Sequence, residues 1–180
     1  MKIDAFDKIL WLLLSVVLVA LALLLWQGAH REGASGKNVA SRAMERELTY
    51  QARISLLQKI YGPVEELRRK GELQSALLKL DELARTYPGE AHGYILQAEI
   101  LQQLGVKEAA LSNYVAGVRL DGDYIDKNSP LSRRDEISRF VTEAEGTFGG
   151  KAAADSSSST LVAARKDLNY LKSRLAGGCE

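Results

Sequence analysis

The side chains equipped for chemistry are few in this chain, and their spacing assembles no catalytic or metal-binding set. The two histidines, His30 and His92, stand 62 positions apart, which fits no metal-ligand spacing. The single cysteine, Cys179, allows no disulfide within the chain and no Cys-rich zinc or iron–sulfur cage. No CxxCH run is present for covalent haem attachment. A serine nucleophile needs a base, and His92 is the only candidate in the folded part. No Gly-x-Ser-x-Gly turn accompanies it, so His92 is expected as an exposed residue on a helix face. The carboxylate pairs Glu65-Glu66 and Asp135-Glu136 are sequence neighbours, which on a helix point about 100° apart and do not converge. Gly36-Lys37 is no phosphate loop: Arg31 takes the place of its first glycine, Asn38 that of its Ser or Thr, and no strand precedes it. Cys179 is followed only by Glu180, which fits no prenylation box. It reads as a free thiol on a frayed tail, or else as an interchain disulfide or tail-recognition element. The expectation is a protein that is not an enzyme and uses neither metal nor cofactor.

The chain's elements point elsewhere. With 24 Lys and Arg against 23 Asp and Glu the net charge is +1, without the clustered basic excess that phosphate neutralisation needs. No nucleic-acid partner is expected. Apolar residues make up 46% of the 180, but thirteen Leu, Ile and Val crowd into one uncharged 18-residue window, residues 9–26. As a helix this window is about 27 Å long, close to the hydrocarbon thickness of a bilayer. Its insertion is favourable by roughly 4 to 8 kcal/mol. Trp11 and Trp26 near its ends suit the two interfaces. The alternative is a cleaved signal peptide ending near Gly33-Ala34-Ser35, although this run is longer than a usual signal core. A single-pass membrane protein is therefore expected, with residues 1–8 as a short N-terminal tail. Lys2, Lys8 and the α-amino group before the span, weighed against Arg31 and Lys37 after it, favour a cytoplasmic N-terminus. Including Arg42 and Arg46 reverses that count. The nearer residues place the folded part outside the cytoplasm, at a bacterial inner membrane.

Residues 27–38 carry glycine and serine and read as a tether. From 39 to 60 the residues are helix formers, with Met44, Leu48, Ala52, Leu56 and Ile60 recurring every four. Gly62-Pro63 should interrupt this helix, since proline lacks the amide donor and clashes with the preceding turn. A self-similarity of period 34 follows: Leu67 with Leu101, Gly71 with Gly105, Ala76 with Ala110, Leu80 with Tyr114 and Pro88 with Gly122. Each unit reads as helix, glycine turn, helix and stop, about 57–90 and 91–124. Periods of this size signal stacked hairpins.

These residues resemble the tetratricopeptide repeat, an antiparallel helix pair, over residues 57–124. The second unit matches well, with Tyr94, Ala98, Leu101, Gly105, Ala110, Tyr114 and Gly117. Gln97 replaces the family's usual glycine beside Ala98, and Gly122 its terminal proline. The first unit departs further, with Pro63 in its first helix, Val64 at a small-residue place and Leu83 where alanine is usual. The resemblance implies an all-α hairpin solenoid with small residues where helices approach. It also implies a concave groove lined by first helices: Gln58, Tyr61, Glu65, Arg68 and Arg69, then His92, Ile95, Glu99, Gln102 and Gln103. Chaperone-binding members clamp a C-terminal carboxylate with Lys and Asn. Tyr61 and Glu65 stand in those places here, so a client with both polar and apolar contacts is expected.

Helices 39–60 and 131–145 are expected to cap the ends of this 39–145 domain, because two repeats leave apolar faces open. Ser129 and Pro130 read as cap and first residue of the second. Residues 146–159 read as a flexible linker, and 160–180 as an amphipathic helix and tail. Leu161, Ala164, Leu168, Leu171 and Leu175 form a heptad stripe too short to stand alone. It must dock on its own solenoid or on a partner, a second copy included. The function expected is a membrane-anchored scaffold that binds a protein or peptide beside the bilayer. The alternatives are an assembly factor for envelope proteins, similar in outline to those of cytochrome c maturation, and a structural subunit of a membrane complex.

Overall fold

The computed structural model describes the backbone of residues 5–154 and 159–177, with the side chains of residues 14–23, 41–148 and 159–177. The described residues form six α-helices and one 3-10 turn, with no strand among them. The expected all-α class is what is found. The helices are α1 (Ala5–Arg69), α2 (Leu73–Thr86), α3 (Ala91–Gln103), α4 (Lys107–Leu120), α5 (Arg134–Ala154) and α6 (Ser159–Leu175), with the 3-10 turn at Gly122–Tyr124. The chain divides into two compact units, Met1–Gln51 and Ala52–Glu180.

In the first unit the backbone is helical from Ala5 onward. Residues 27–38 are part of α1 instead of a tether. Their three glycines each cost about 1 kcal/mol in a helix, and without a proline the flanking helical runs propagate through them. Leu14, Val16, Val17, Leu18, Val19, Leu21 and Leu23 are each between 51% and 59% exposed. Among the described residues no helix is long and apolar enough to cross a membrane. Of the expected span, the side chains at 9–13 and 24–26 lie outside the described residues.

The second unit begins with the last turns of α1. Pro63 lies inside this helix, contrary to the expected break. Leu57, Tyr61 and Val64 are buried around it, and burying such side chains is worth about 1.5–3 kcal/mol each, enough to offset the ~3 kcal/mol that an internal proline costs. Pro63 and Lys59, the residue whose carbonyl loses its donor, are both exposed. Helix 39–60 is thus continuous with the first helix of the first repeat.

The period of 34 recurs in the backbone bond for bond. Gly71 N–H donates to Arg68 O at 3.0 Å and Glu72 N–H to Leu67 O at 2.9 Å. One period on, Gly105 N–H donates to Gln102 O at 3.0 Å and Val106 N–H to Leu101 O at 2.9 Å. This pair of bonds ends a helix only with a left-handed residue after it, and Gly71 and Gly105 have φ of 80° and 77°. The second hairpin closes tightly at Gly117: a Cβ there would lie 2.6 Å from Ile95 Cδ1 and 3.3 Å from the Ala91 carbonyl oxygen. Helix α3 packs on α4 and on α2.

A third hairpin follows that the sequence did not disclose. Helix α5 begins at Arg134, not at 131. Ser129 Oγ accepts from Leu131 N–H at 3.1 Å within a turn, while Ser132 Oγ accepts from Arg134 N–H at 3.4 Å at the helix start. Leu131 is buried from within that turn. The expected linker is largely helix as well, because α5 runs on to Ala154 with Phe148 buried at 1% exposure. Residues 155–158 of the linker lie outside the described residues. Helix α6 returns against α5 and α4, burying Ala164, Leu168 and Leu171. Arg134 at the start of α5 donates to the Leu175 carbonyl at the end of α6, so the two run in opposite directions. The heptad stripe therefore docks on its own domain, with Leu161 and Leu175 at its half-buried margin.

Candidate functional site

The ten residues expected to line a groove do not form one open surface. Gln58, Tyr61, Glu65, Arg69 and His92 line a cleft of 410 Å³ together with Ile54, Leu57, Gly62, Pro130, Leu131 and Arg133. Arg68, Glu99, Gln102 and Gln103 line a second cleft of 430 Å³ with Tyr114, Glu136, Arg139 and Glu143. Ile95 lines neither. It is fully buried, seated on Gly117, because α4 approaches too closely to leave it a free face.

His92 is buried, not exposed on a helix face. Its ring packs edge-on to Tyr61 at 5.0 Å, and its Nδ1 shares a hydrogen bond of 2.9 Å with the Tyr124 hydroxyl. Tyr124 comes from the 3-10 turn after α4, which folds back over the start of α3. Burial, followed by the positive charges of Arg133, Arg53 and Arg68, lowers the His92 pKa to about 4. The imidazole is neutral at physiological pH and too weakly basic for efficient proton abstraction there. Burial pushes Tyr61 up to about 12 and raises Tyr114 and Tyr124 too. These phenols stay protonated, the Tyr114 hydroxyl donating to Gln102 Oε1 at 3.1 Å.

An ionic chain runs between the two clefts. Arg68 binds Glu65 at 2.8 Å and also pairs with Glu99. Glu99 in turn lies 3.4 Å from Arg133 Nε. Glu99 is buried, and its Oε1 finds no hydrogen-bond donor among the described residues. Burial raises its pKa, against the pull of Arg68 and Arg133. Breaking a buried pair of this kind costs far more than forming it gains, so the chain fixes where the 129–133 segment sits. A second cluster fixes the turn before it. Arg53 binds Asp121 and approaches Asp123 at 3.8 Å and Glu90 at 4.0 Å. The Asp121 carboxylate also accepts from Asp123 N–H at 2.9 Å.

The residues reachable from solvent are Gln58, Arg69 and Gln103, which are exposed, with Glu65, Arg68 and Gln102 half-buried. Tyr61, His92 and Glu99 form buried floor and wall. Pro130, Leu131 and Arg133 were not anticipated, since they follow the repeats and read as the entry to a capping helix. The apolar pair Tyr124-Ile125 inside a loop of turn-formers was the available signal that this loop folds inward.

Comparison with protein-family models, curated proteins and solved structures found no match to this chain. Among the described residues no group of three or more His, Cys, Asp or Glu is placed to hold a metal ion. What the geometry offers is one small cleft with an apolar floor and a charged rim, beside another lined by polar and charged groups.

Proposed function

We propose that this chain is a membrane-anchored adaptor of the tetratricopeptide-repeat kind, binding a protein or peptide partner beside the bilayer without acting on it chemically. The observation that carries the reading is the 410 Å³ cleft, where five of the ten groove residues meet an apolar wall from the 129–133 segment. Concave, partly apolar sites with a few polar groups are where partners dock. The hairpin repeat of period 34, with its paired glycine turns, supports the repeat assignment. The uncharged window at 9–26 and its exposed apolar side chains at 14–23 support the anchor. Anchoring raises the effective concentration of other membrane-bound partners, so a small cleft of modest affinity suffices. The domain lies outside the cytoplasm in this reading, on the charge balance nearest the span.

A photoreactive amino acid at Gln58 tests the proposal in full-length protein in its native membrane. The same probe at Asp81, on the exposed face of α2, serves as control. A discrete adduct from position 58 that is missing from position 81 is expected. No adduct from 58, or the same adducts from both, ends the adaptor reading.

A further inference from the structure

The two clefts differ in which of their charges are already satisfied. In the 430 Å³ cleft, Arg68 is held by Glu65 and Glu99, Glu143 by Lys107 at 2.6 Å and Arg139 by Glu136 at 3.9 Å. In the 410 Å³ cleft the only carboxylate, Glu65, is bonded outward to Arg68 at 2.8 Å. Its two cations are Arg133, paired with the buried Glu99 at 3.4 Å, and Arg69, which has no ion pair or hydrogen bond among the described residues. The same cleft is lined by the buried Leu57 and Leu131, with the half-buried Ile54 and the exposed Pro130. An apolar lining beside an unspent guanidinium selects a ligand with a greasy part and an anion side by side. Arginine suits the anion because its fork of donors matches a carboxylate.

We infer that this cleft takes an extended peptide segment in which an apolar and an acidic side chain stand two positions apart, on the same face. The apolar side chain rests on Leu57 and Leu131, and the carboxylate meets Arg69 with Arg133 behind it. The inference rests on the adaptor reading and names the chemistry of its partner. The recognising cation is the last residue of α1, where it is exposed. Its replacement leaves the buried core untouched.

The test uses the full chain in uncharged phosphatidylcholine nanodiscs, with three fluorescein-labelled peptides read by anisotropy: Gly-Leu-Gly-Asp-Gly, Gly-Leu-Gly-Asn-Gly and Gly-Ser-Gly-Asp-Gly. The Leu-Gly-Asp peptide is expected to bind about tenfold more tightly than either analogue, the loss of one charge-assisted contact or one buried aliphatic group. Arg69→Gln should erase the Asp-over-Asn preference, keep the Leu-over-Ser preference and leave the melting temperature unchanged. Arg69→Lys should retain part of the Asp preference. Equal binding of the Asp and Asn peptides, or an Asp preference that survives in Arg69→Gln, overturns the inference, as does no binding of any of the three. The adaptor reading is judged separately by the Gln58 adduct, so a partner captured there by a protein indifferent to these peptides leaves the cleft and removes the acidic–apolar chemistry.

Discussion

Single residues set both the pH response and the closeness of the helices. Burial holds the His92 pKa at about 4 in the folded state, below the ordinary imidazole value of 6.5, so the fold favours the neutral ring. The stability tied to that ring is fully present above pH 6.5 and is lost as pH falls toward 4. The slope is at most about 1.4 kcal/mol per pH unit for one proton. Glu99 has the opposite sign. Its pKa is raised by burial, so its contribution weakens as pH rises above the ordinary carboxylate range. Urea titrations of wild type and His92→Asn across pH 4 to 7 separate the two. The wild type should lose stability toward low pH more steeply than the variant, and parallel curves would refute a buried neutral imidazole. Gly117 is the second case. A methyl group there would press on Ile95 and the Ala91 carbonyl, so Gly117→Ala should destabilise the domain by about 1–3 kcal/mol. An unchanged denaturation midpoint would mean that the α3–α4 contact is looser than the structure has it. The sequence marked Gly117 as a site of close approach but gave His92 the wrong environment. A lone histidine's burial depends on what folds over it, here Tyr124 from 32 positions away.

At the scale of elements, local signals located the turns well and the helix ends poorly. Gly71 and Gly105 stop their helices because a left-handed residue is needed there. Pro63 does not stop α1, because Leu57, Tyr61 and Val64 hold the register on both sides of it. The glycines at 146–150 do not stop α5 either, with Phe148 buried in their midst. Helix α6 contributes to stability. Its Leu168 and Leu171 are buried against α4 and α5, worth about 1.5–3 kcal/mol each. Deleting residues 160–180 should therefore lower the melting temperature by several degrees and expose surface that binds a hydrophobic dye. A truncated protein that melts like the full chain would show that the helix belongs on a partner.

At the scale of the chain, seven of the fifteen exposed large hydrophobics among the described residues lie together at 14–23. Patches of this kind mark membrane or protein contacts. Full-length protein should remain in the membrane pellet after alkaline carbonate washing, and a variant lacking residues 9–26 should be released. Release of the full chain would remove the anchor from the proposal.

Composition, charge and periodicity were enough for the all-helical class, the apolar window and the positions of two glycine turns 34 residues apart. Each depends on residues near one another in sequence, whose backbone preferences and facing are local properties. Tertiary structure alone decided that the proposed groove residues part into two clefts, with Tyr61, His92, Ile95 and Glu99 covered. It also decided that α5 and α6 close on the repeats as a third hairpin. Burial and charge pairing depend on which distant segment arrives against a helix face. The segment that arrives, residues 121–134, is held there by contacts to Arg53, His92 and Glu99 that no local pattern encodes.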